Sequence, residues 1–401
     1  MIVRFGFVAM SMLLQNASPS KTMTYTNFAK LADREAALRK LERIAEENLR
    51  NTLRLLRHCF AHDIMVYRFS SKLIPLVTHD DLKEWSPWDV LGQPLADLGA
   101  FVRSKQMRVS FHPDHFCVFS TPRPEVLVKS CDDLTYHLRI LEAMGLDETA
   151  KCNIHIGGAY GDKPASAERF VRQFGDLPVR FRSRITLEND DKTFTARETL
   201  NSAEEVGTPM VLDLHHHAVN DGGETASSLY SELWPRILRT WDIPPKGNTD
   251  VQAKESPERQ TAADTAGQAV PRTAAVAASP AEADASAADD GSGRRGMEAG
   301  AAGSCGSGAE AGAALPAKLP PKLHVSSPKS EKDPRGHADY VEVEPLLRFL
   351  RETEGSVDRL DCMIEAKQKD AALFKLMDDF RSLEAAGEGV RIIDGASIEV
   401  L

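Results

Sequence analysis

Six short apolar runs of this chain lead into side chains that bind metal ions. Arg108–Phe111 is followed by His112-Pro113-Asp114-His115-Phe116, and Asn153-Ile154-His155-Ile156 runs into Gly157-Gly158. Thr186-Leu187 precedes Glu188-Asn189-Asp190-Asp191, and Val211-Leu212 precedes Asp213-Leu214-His215-His216-His217. Lys322-Leu323-His324-Val325 and Met363-Ile364-Glu365 complete the set, with His337 in the stretch after the His324 run. Nine of the twelve histidines lie in or just after these runs, counting His79 in the matching place after an earlier one. A single inward histidine or glutamate is ordinarily a hydrogen-bonded core residue. Several converging on one cavity are too costly to desolvate without a compensating cation. Mixed imidazole and carboxylate donors without thiolates suit Zn2+, Mn2+ or Fe2+, and disfavour Ca2+ or an all-thiolate structural zinc. The set is large enough for two or three ions, with Glu188 a natural bridge. Such a cluster can activate water and clamp the oxygens of a phosphoryl transfer. It can also polarise a sugar hydroxyl and carbonyl for isomerisation, and spacing alone does not choose between the two.

Convergence requires a scaffold. Eight β-branched or aromatic runs recur, near Ile2–Val8, Ile64–Phe69, Arg108–Phe111, Asn153–Ile156, Arg184–Leu187, Met210–Leu214, Lys322–Val325 and Cys362–Ile364. Between them apolar residues fall at helical spacing, as in Leu38, Leu41, Ile44, Leu49, Leu53 and Leu56, or Leu134, Leu138, Leu141 and Met144. Strands alternating with helices predict an α/β fold of parallel units, and eight of them predict a closed (β/α)8 TIM barrel. In that barrel the C-terminal strand ends share one mouth. The competing open doubly wound sheet calls for a glycine-rich phosphate turn after the first strand, which Gly6 alone does not supply.

The chain has 401 residues, 42% hydrophobic and 27% charged, which excludes a membrane-spanning or wholly disordered protein. Residues 247–315 differ from everything around them: 21 of these 69 residues are Ala, and Phe, Tyr, Trp and Ile are missing. Such a segment cannot bury enough apolar surface to offset its ordering entropy, so it reads as a disordered low-complexity insertion. Residues 1–246 and 316–401 then form one barrel domain. The net charge of −10 argues against a nucleic-acid partner at first sight, but half of it, −5, lies in the insertion. Six cysteines without a CxxC pair suit free thiols in a reducing compartment. The stretch Met1–Leu14 has one charge, Arg4, before an apolar run, and reads as a buried first strand in preference to a signal peptide.

Several blocks closely resemble the UV DNA damage endonucleases (the UvsE/UVDE family). They are Ile154-His155-Ile156-Gly157-Gly158-Ala159-Tyr160-Gly161, Thr186-Leu187-Glu188-Asn189-Asp190-Asp191-Lys192, Lys322-Leu323-His324-Val325-Ser326-Ser327-Pro328-Lys329 and Met363-Ile364-Glu365-Ala366-Lys367-Gln368-Lys369-Asp370. Arg4-Phe5-Gly6-Phe7-Val8, Ala17-Ser18-Pro19-Ser20-Lys21-Thr22 and Tyr67-Arg68-Phe69-Ser70-Ser71 join them, so the resemblance covers nearly everything outside 247–315. It implies a TIM barrel of the endonuclease IV and xylose isomerase-like type with three divalent ions, usually Mn2+, with Zn2+, Co2+ or Mg2+ as alternatives. It implies nicking of UV-damaged double-stranded DNA immediately 5′ to cyclobutane pyrimidine dimers or (6-4) photoproducts, leaving 3′-hydroxyl and 5′-phosphate ends for excision repair. A cytoplasmic enzyme, neither secreted nor membrane-bound and acting as a monomer, is implied as well.

Carried residue by residue, the resemblance gives His112, His155 and Glu188 to one metal. Glu188, Asp213, His324 and Glu365 hold a second, and His216 and His337 a third. Strand alternation favours His215 beside Asp213, whereas the family alignment favours His216. Glu188, Lys322 and His79 are implied at the catalytic centre, with Lys322 matching a family lysine that can be carboxylated. The lesion-reading positions are His115 and Phe116 after His112-Pro113, with Phe7 at the pocket floor; Arg68, Lys329 and Lys367 are candidate phosphate contacts. The family commonly has an amide where His115 stands, and an asparagine near Met10. The other readings are a sugar isomerase or epimerase, or an abasic-site endonuclease, on the same barrel. Deleting residues 248–314 is expected to leave nicking of short duplexes nearly unchanged. Loss of folding on that deletion, measured by circular dichroism, would show that an integral element had been removed.

Overall fold

The computed structural model describes residues 1–114, 116–242 and 319–401. The insertion at 247–315 and the lesion-reading candidate His115 lie outside the described residues. Eight parallel strands form the barrel: β1 (Ile2–Val8), β2 (Val66–Arg68), β3 (Arg108–Phe111), β4 (Lys151–His155), β5 (Ile185–Glu188), β6 (Met210–Asp213), β7 (Lys322–Val325) and, after the short hairpin β8 (Pro328–Ser330) and β9 (Asp333–His337), β10 (Arg359–Ile364). They pair in chain order, and β10 closes on β1 with Ile2 opposite Arg359 through Phe7 opposite Ile364. All eight apolar runs are barrel strands, because a parallel strand covered by helices on one face and by the barrel interior on the other carries few exposed polar residues. No described helix is long and apolar enough to cross a membrane.

Two hairpins are additions to the expected plan. β11 (Val390–Asp394) and β12 (Ser397–Val400) form one, and β12 runs antiparallel to β1 at Ile2–Arg4. The other half of β1, Gly6–Val8, pairs with β2. At Gly6 the two strands approach so closely that a β-carbon would lie 2.1 Å from the Val66 carbonyl oxygen, so only glycine fits.

Strand alternation puts every second residue inside the barrel, and polar side chains occupy each level of that interior beside apolar Val66, Val211 and Met363. At the N-terminal end Asp361 of β10 takes a bidentate pair of hydrogen bonds from Arg4 of β1, at 2.7 and 2.8 Å. It also accepts one from Arg108 of β3 at 2.7 Å. One level up, Lys322 Nζ donates to Ser110 Oγ at 2.9 Å, and Thr186 Oγ1 donates to Asn153 Oδ1 at 2.8 Å. The carboxylates and imidazoles singled out in the sequence form the uppermost level. Apolar packing lies mainly between strands and helices, as in the stack of Phe5 on Phe380 at 5.5 Å.

Burial alone would raise the Asp361 pKa, but Arg108 and Arg4 outweigh it and hold the carboxyl below the usual range. The stabilisation is therefore complete above about pH 4 and is lost as pH falls through the depressed native value. Asp361→Asn should cost about 3 kcal/mol at neutral pH in urea unfolding, since two largely buried cations lose their counter-charge. The deficit should shrink below about pH 4. A cost under ~1 kcal/mol at pH 7 would show the ion pairs to be dispensable.

Candidate metal centre

Every candidate ligand but His337, which ends the β9 hairpin strand, stands at or just beyond the C-terminal end of a barrel strand. β4 ends at His155, β5 at Glu188 and β6 at Asp213, while His112 and Glu365 immediately follow β3 and β10. Asp213 also caps the short helix Leu214–Val219, its carboxylate accepting the His216 backbone N–H at 2.7 Å. Strand alternation therefore stops at Asp213. In a helix residues three apart share a face, and His216 comes to lie 3.9 Å from Asp213 and 3.5 Å from Glu188. His215 instead has both ring nitrogens engaged, by Ser326 and by the Pro334 carbonyl.

Two groups of donors converge: His112, His155 and Glu188, and then Glu188, Asp213, His324 and Glu365. Within each group the donor atoms lie within 4.8 Å of one another. Glu188 belongs to both. Its Oε2 lies 3.3 Å from His112 Nε2 and 3.1 Å from His324 Nδ1, which is also 3.0 Å from Glu365. His216 and His337 line the same cavity, about 340 Å³ in volume, with ring centres 6.2 Å apart. Among the described residues no group of three donors includes either.

Backbone carbonyls set the imidazole tautomers. Nδ1 of His112, His155, His216 and His337 faces the carbonyl oxygens of Pro113, Glu188, Asn189 and Glu365, at 2.9, 3.2, 2.9 and 2.7 Å respectively. A carbonyl only accepts, so Nδ1 carries the proton and the Nε2 lone pair remains for a ligand bond. Glu188 Oε1, Asp213 Oδ2 and both nitrogens of His324 are buried without any hydrogen-bond partner, the short His324–carboxylate approaches being badly aligned. Four orphaned polar atoms on one shared cluster would be costly. Divalent cations would satisfy the two carboxylate oxygens and the lone-pair nitrogen of His324, so the donor set fits a metal centre.

Without a cation the site neutralises itself by protonation. Burial would raise the Glu188 pKa, but His324, His112 and His155 hold it well below the usual carboxylate range. Glu365 is likewise lowered against its burial, by Arg68 and then His324. His216 resists the lowering effect of burial and is pushed up to about 9 by Asp213 and Glu188. Lys322 goes the other way, to about 7, through burial and the neighbouring Arg108 against the pull of Asp361.

The remaining expected residues divide. Arg68 lines the cavity and is hydrogen-bonded to Glu365, so its charge serves the metal centre in this arrangement. Phe7 is fully buried and packs edge-on against Tyr67 at 5.6 Å. Phe116 is 71% exposed on the loop after β3. Lys329 pairs with Asp333 at 2.9 Å on the β8–β9 hairpin, and the Lys367 backbone N–H donates to Ala338 at 3.0 Å. His79 is not among the cavity residues. It caps a turn at Asp80–Leu82 and stacks on Tyr25 at 3.9 Å. Two contributors had not been singled out, Asn153 and Asn189. Asn153 donates to Glu188, and Asn189 brackets Asp213, donating to its carbonyl and accepting from its N–H. Position pointed to both: Asn153 is two residues before His155 on one strand, and Asn189 adjoins Glu188.

Residues 3–265 and 315–393 match the family described as UV-endonuclease UvdE. The chain belongs to that family. It is 35% identical over 400 residues to the UV DNA damage endonuclease of Halalkalibacterium halodurans, covering 100% of this chain and 99% of the relative. It is 33% identical over 402 residues to that of Bacillus cereus, covering 100% of both. The crystal structure of SacUVDE superposes with a TM-score of 0.67 at 24% identity, over 95% of this chain and 99% of that one, and shares the barrel fold. The donor cluster of this UvdE chain therefore sits at the mouth of a nuclease family's barrel.

Metal-free protein should gain about 2.7 kcal/mol of stability from Mn2+ at a hundred times its Kd. Binding must displace protons from His216 and His324, so affinity should rise with pH between 6 and 8. Glu188→Ala should lose most of the gain in a thermal-shift titration. An equal gain in that variant would place the bound ion elsewhere.

Proposed function

We propose that this chain is a metal-dependent endonuclease that hydrolyses the phosphodiester immediately 5′ to cyclobutane pyrimidine dimers and (6-4) photoproducts, leaving 3′-hydroxyl and 5′-phosphate ends that initiate excision repair. The observation that carries this reading is the pair of donor groups sharing Glu188, with orphaned buried donors, at the mouth of a UvdE-family barrel. His112, His155 and Glu188 would hold one ion, Glu188, Asp213, His324 and Glu365 a second, and His216 with His337 a third. Divalent ions supply Lewis acidity at such a site, neutralising charge on the phosphate and on the attacking and leaving oxygens. Mn2+ is the ion this reading assigns, three per chain.

The protein's own residues do the rest. Carbonyl-anchored imidazoles hold their Nε2 lone pairs toward the cavity without reorganising during reaction. Lys322, buried beneath the cluster and hydrogen-bonded to Ser110, is poised between its two protonation states near neutral pH. Phe116, exposed at the rim, offers a face on which bases beside a lesion can stack, where unstacking is cheapest because pairing is already weakened. Lys329 and Lys367 supply cations at the same rim, with His115 beside Phe116 in sequence. Three divalent ions would add about six positive charges at a mouth rich in carboxylates, which reconciles an acidic chain with a DNA substrate. The chain would act as a monomer in the cytoplasm.

Incubation with Mn2+ should nick UV-irradiated supercoiled plasmid and leave unirradiated plasmid intact. Glu188→Gln should slow nicking by about 10^3-fold or more, the loss of several kcal/mol of metal-assisted stabilisation. Phe116→Ala should weaken damaged-duplex binding by about 5- to 100-fold, the value of one stacked base. Nicking independent of irradiation would overturn lesion specificity.

A further inference from the structure

His215 lies beside both residues of the proposed third-metal pair, His216 and His337, without being able to join them. It is buried, 2% exposed, and its Nδ1 meets Ser326 Oγ at 2.6 Å while its Nε2 meets the Pro334 carbonyl at 2.6 Å. Since the carbonyl can only accept, Nε2 carries a proton and donates it, and neither nitrogen retains a lone pair directed at the cavity. Its ring centre is 6.2 Å from that of His216 and 5.4 Å from that of His337.

The partners matter because of what they carry. Pro334 belongs to β9, which ends at His337, and Ser326 follows β7 and leads into β8. His216 follows His215 on the helix capped by Asp213. The β8–β9 hairpin is short, has an irregular register and is exposed along β8, so its own ladder gives it little rigidity. The His337 ring is oriented by the Glu365 carbonyl, and the base of the hairpin is held by the Ala338 N–H on Ser327 and the Lys367 N–H on Ala338, whereas Pro334 lies at the turn end of β9, away from those contacts.

We infer that His215 is a positioning residue: hydrogen-bonded at both ring nitrogens to Ser326 and Pro334, it pins the β8–β9 hairpin to the helix Leu214–Val219 and so sets the separation of His216 and His337. This inference rests on the metal reading above for its consequence, but the mechanical link itself does not. Three adjacent histidines thus have separate duties. His216 faces the cavity, His215 fastens the hairpin behind it, and His217 is buried outside the cavity lining.

The test separates the two layers. Hydrogen exchange of backbone amides 328–338 is measured in metal-free wild type, His215→Phe, which keeps a ring but loses both hydrogen bonds, and Ser326→Ala, which removes one partner with little change in volume. Exchange should accelerate about tenfold in His215→Phe, and less in Ser326→Ala, with the barrel strands unaffected. Unchanged hairpin protection in a folded His215→Phe, or in Ser326→Ala if the first variant does not fold, would overturn the inference. Mn2+ content after equilibrium dialysis is then compared. His215→Phe should hold one ion fewer than wild type, as should His337→Ala. If His337→Ala retains the wild-type count, the third-metal reading fails while the exchange result still decides the role of His215. Full metal content in His215→Phe with a loosened hairpin would show that His215 fastens the hairpin without setting the pair, and would overturn that half of the proposal.

Discussion

Glu188 is a carboxylate buried to 1% exposure, and its charge has to be met from every side. Asn153 donates to one of its oxygens, His112 and His324 face that same oxygen, and His216 approaches the other, which has no hydrogen-bond partner. Five barrel strands end around this one group. The polar interior below continues the compensation downward. Thr186 orients Asn153, Lys322 reaches Ser110, and Asp361 binds Arg4 and Arg108 across the barrel. A barrel filled with apolar layers would leave Glu188 charged above a medium unable to stabilise it. This one is filled with paired charges and directed hydrogen bonds.

Under the proposed reading, that interior separates chemistry from recognition. Most candidate ligands spring from barrel strand ends, and carbonyls orient the imidazoles of His155 and His216. The proposed reading elements are borne on loops that can vary at small cost to the cluster. Phe116 stands on the β3 loop, where the buried Ser130 hydroxyl accepts the Val118 N–H at 3.0 Å and donates to the Val126 carbonyl at 2.9 Å. The loop after β1, which carries Met10, is held by Asp370 through Ser11 and the Met12 N–H.

Much of this was readable beforehand because burial leaves a compositional trace. Strands covered on both faces must be apolar, so the eight barrel strands stood out. Carboxylates and histidines at the ends of such runs are conspicuous, and the family resemblance supplied their division into the three- and four-residue donor groups. The β8–β9 hairpin left no such trace, because Lys329-Ser330-Glu331-Lys332-Asp333-Pro334-Arg335-Gly336 is charged and largely exposed. The β11–β12 hairpin lay outside the eight runs, and its turn falls at Gly395-Ala396, between the paired Asp394 and Ser397. His79 stacks on Tyr25, and its Nδ1 accepts the Asp81 N–H as the cap of a turn.

The sequence by itself determined which residue types would meet, because strand ends in a parallel barrel can only converge, and its motif blocks carried the resemblance to the UvdE family. Only the tertiary structure decided how neighbouring residues divide the work. Alternation favours His215 and the family resemblance favours His216; helix geometry after the Asp213 cap turns His216 to the cavity and leaves His215 to a hairpin from a distant part of the chain. Arg68, with the character of a phosphate contact in the sequence, is turned inward to Glu365. Both outcomes depend on which group lies opposite in space, and on which contact satisfies a buried charge or donor at lowest cost, and local spacing carries no record of either.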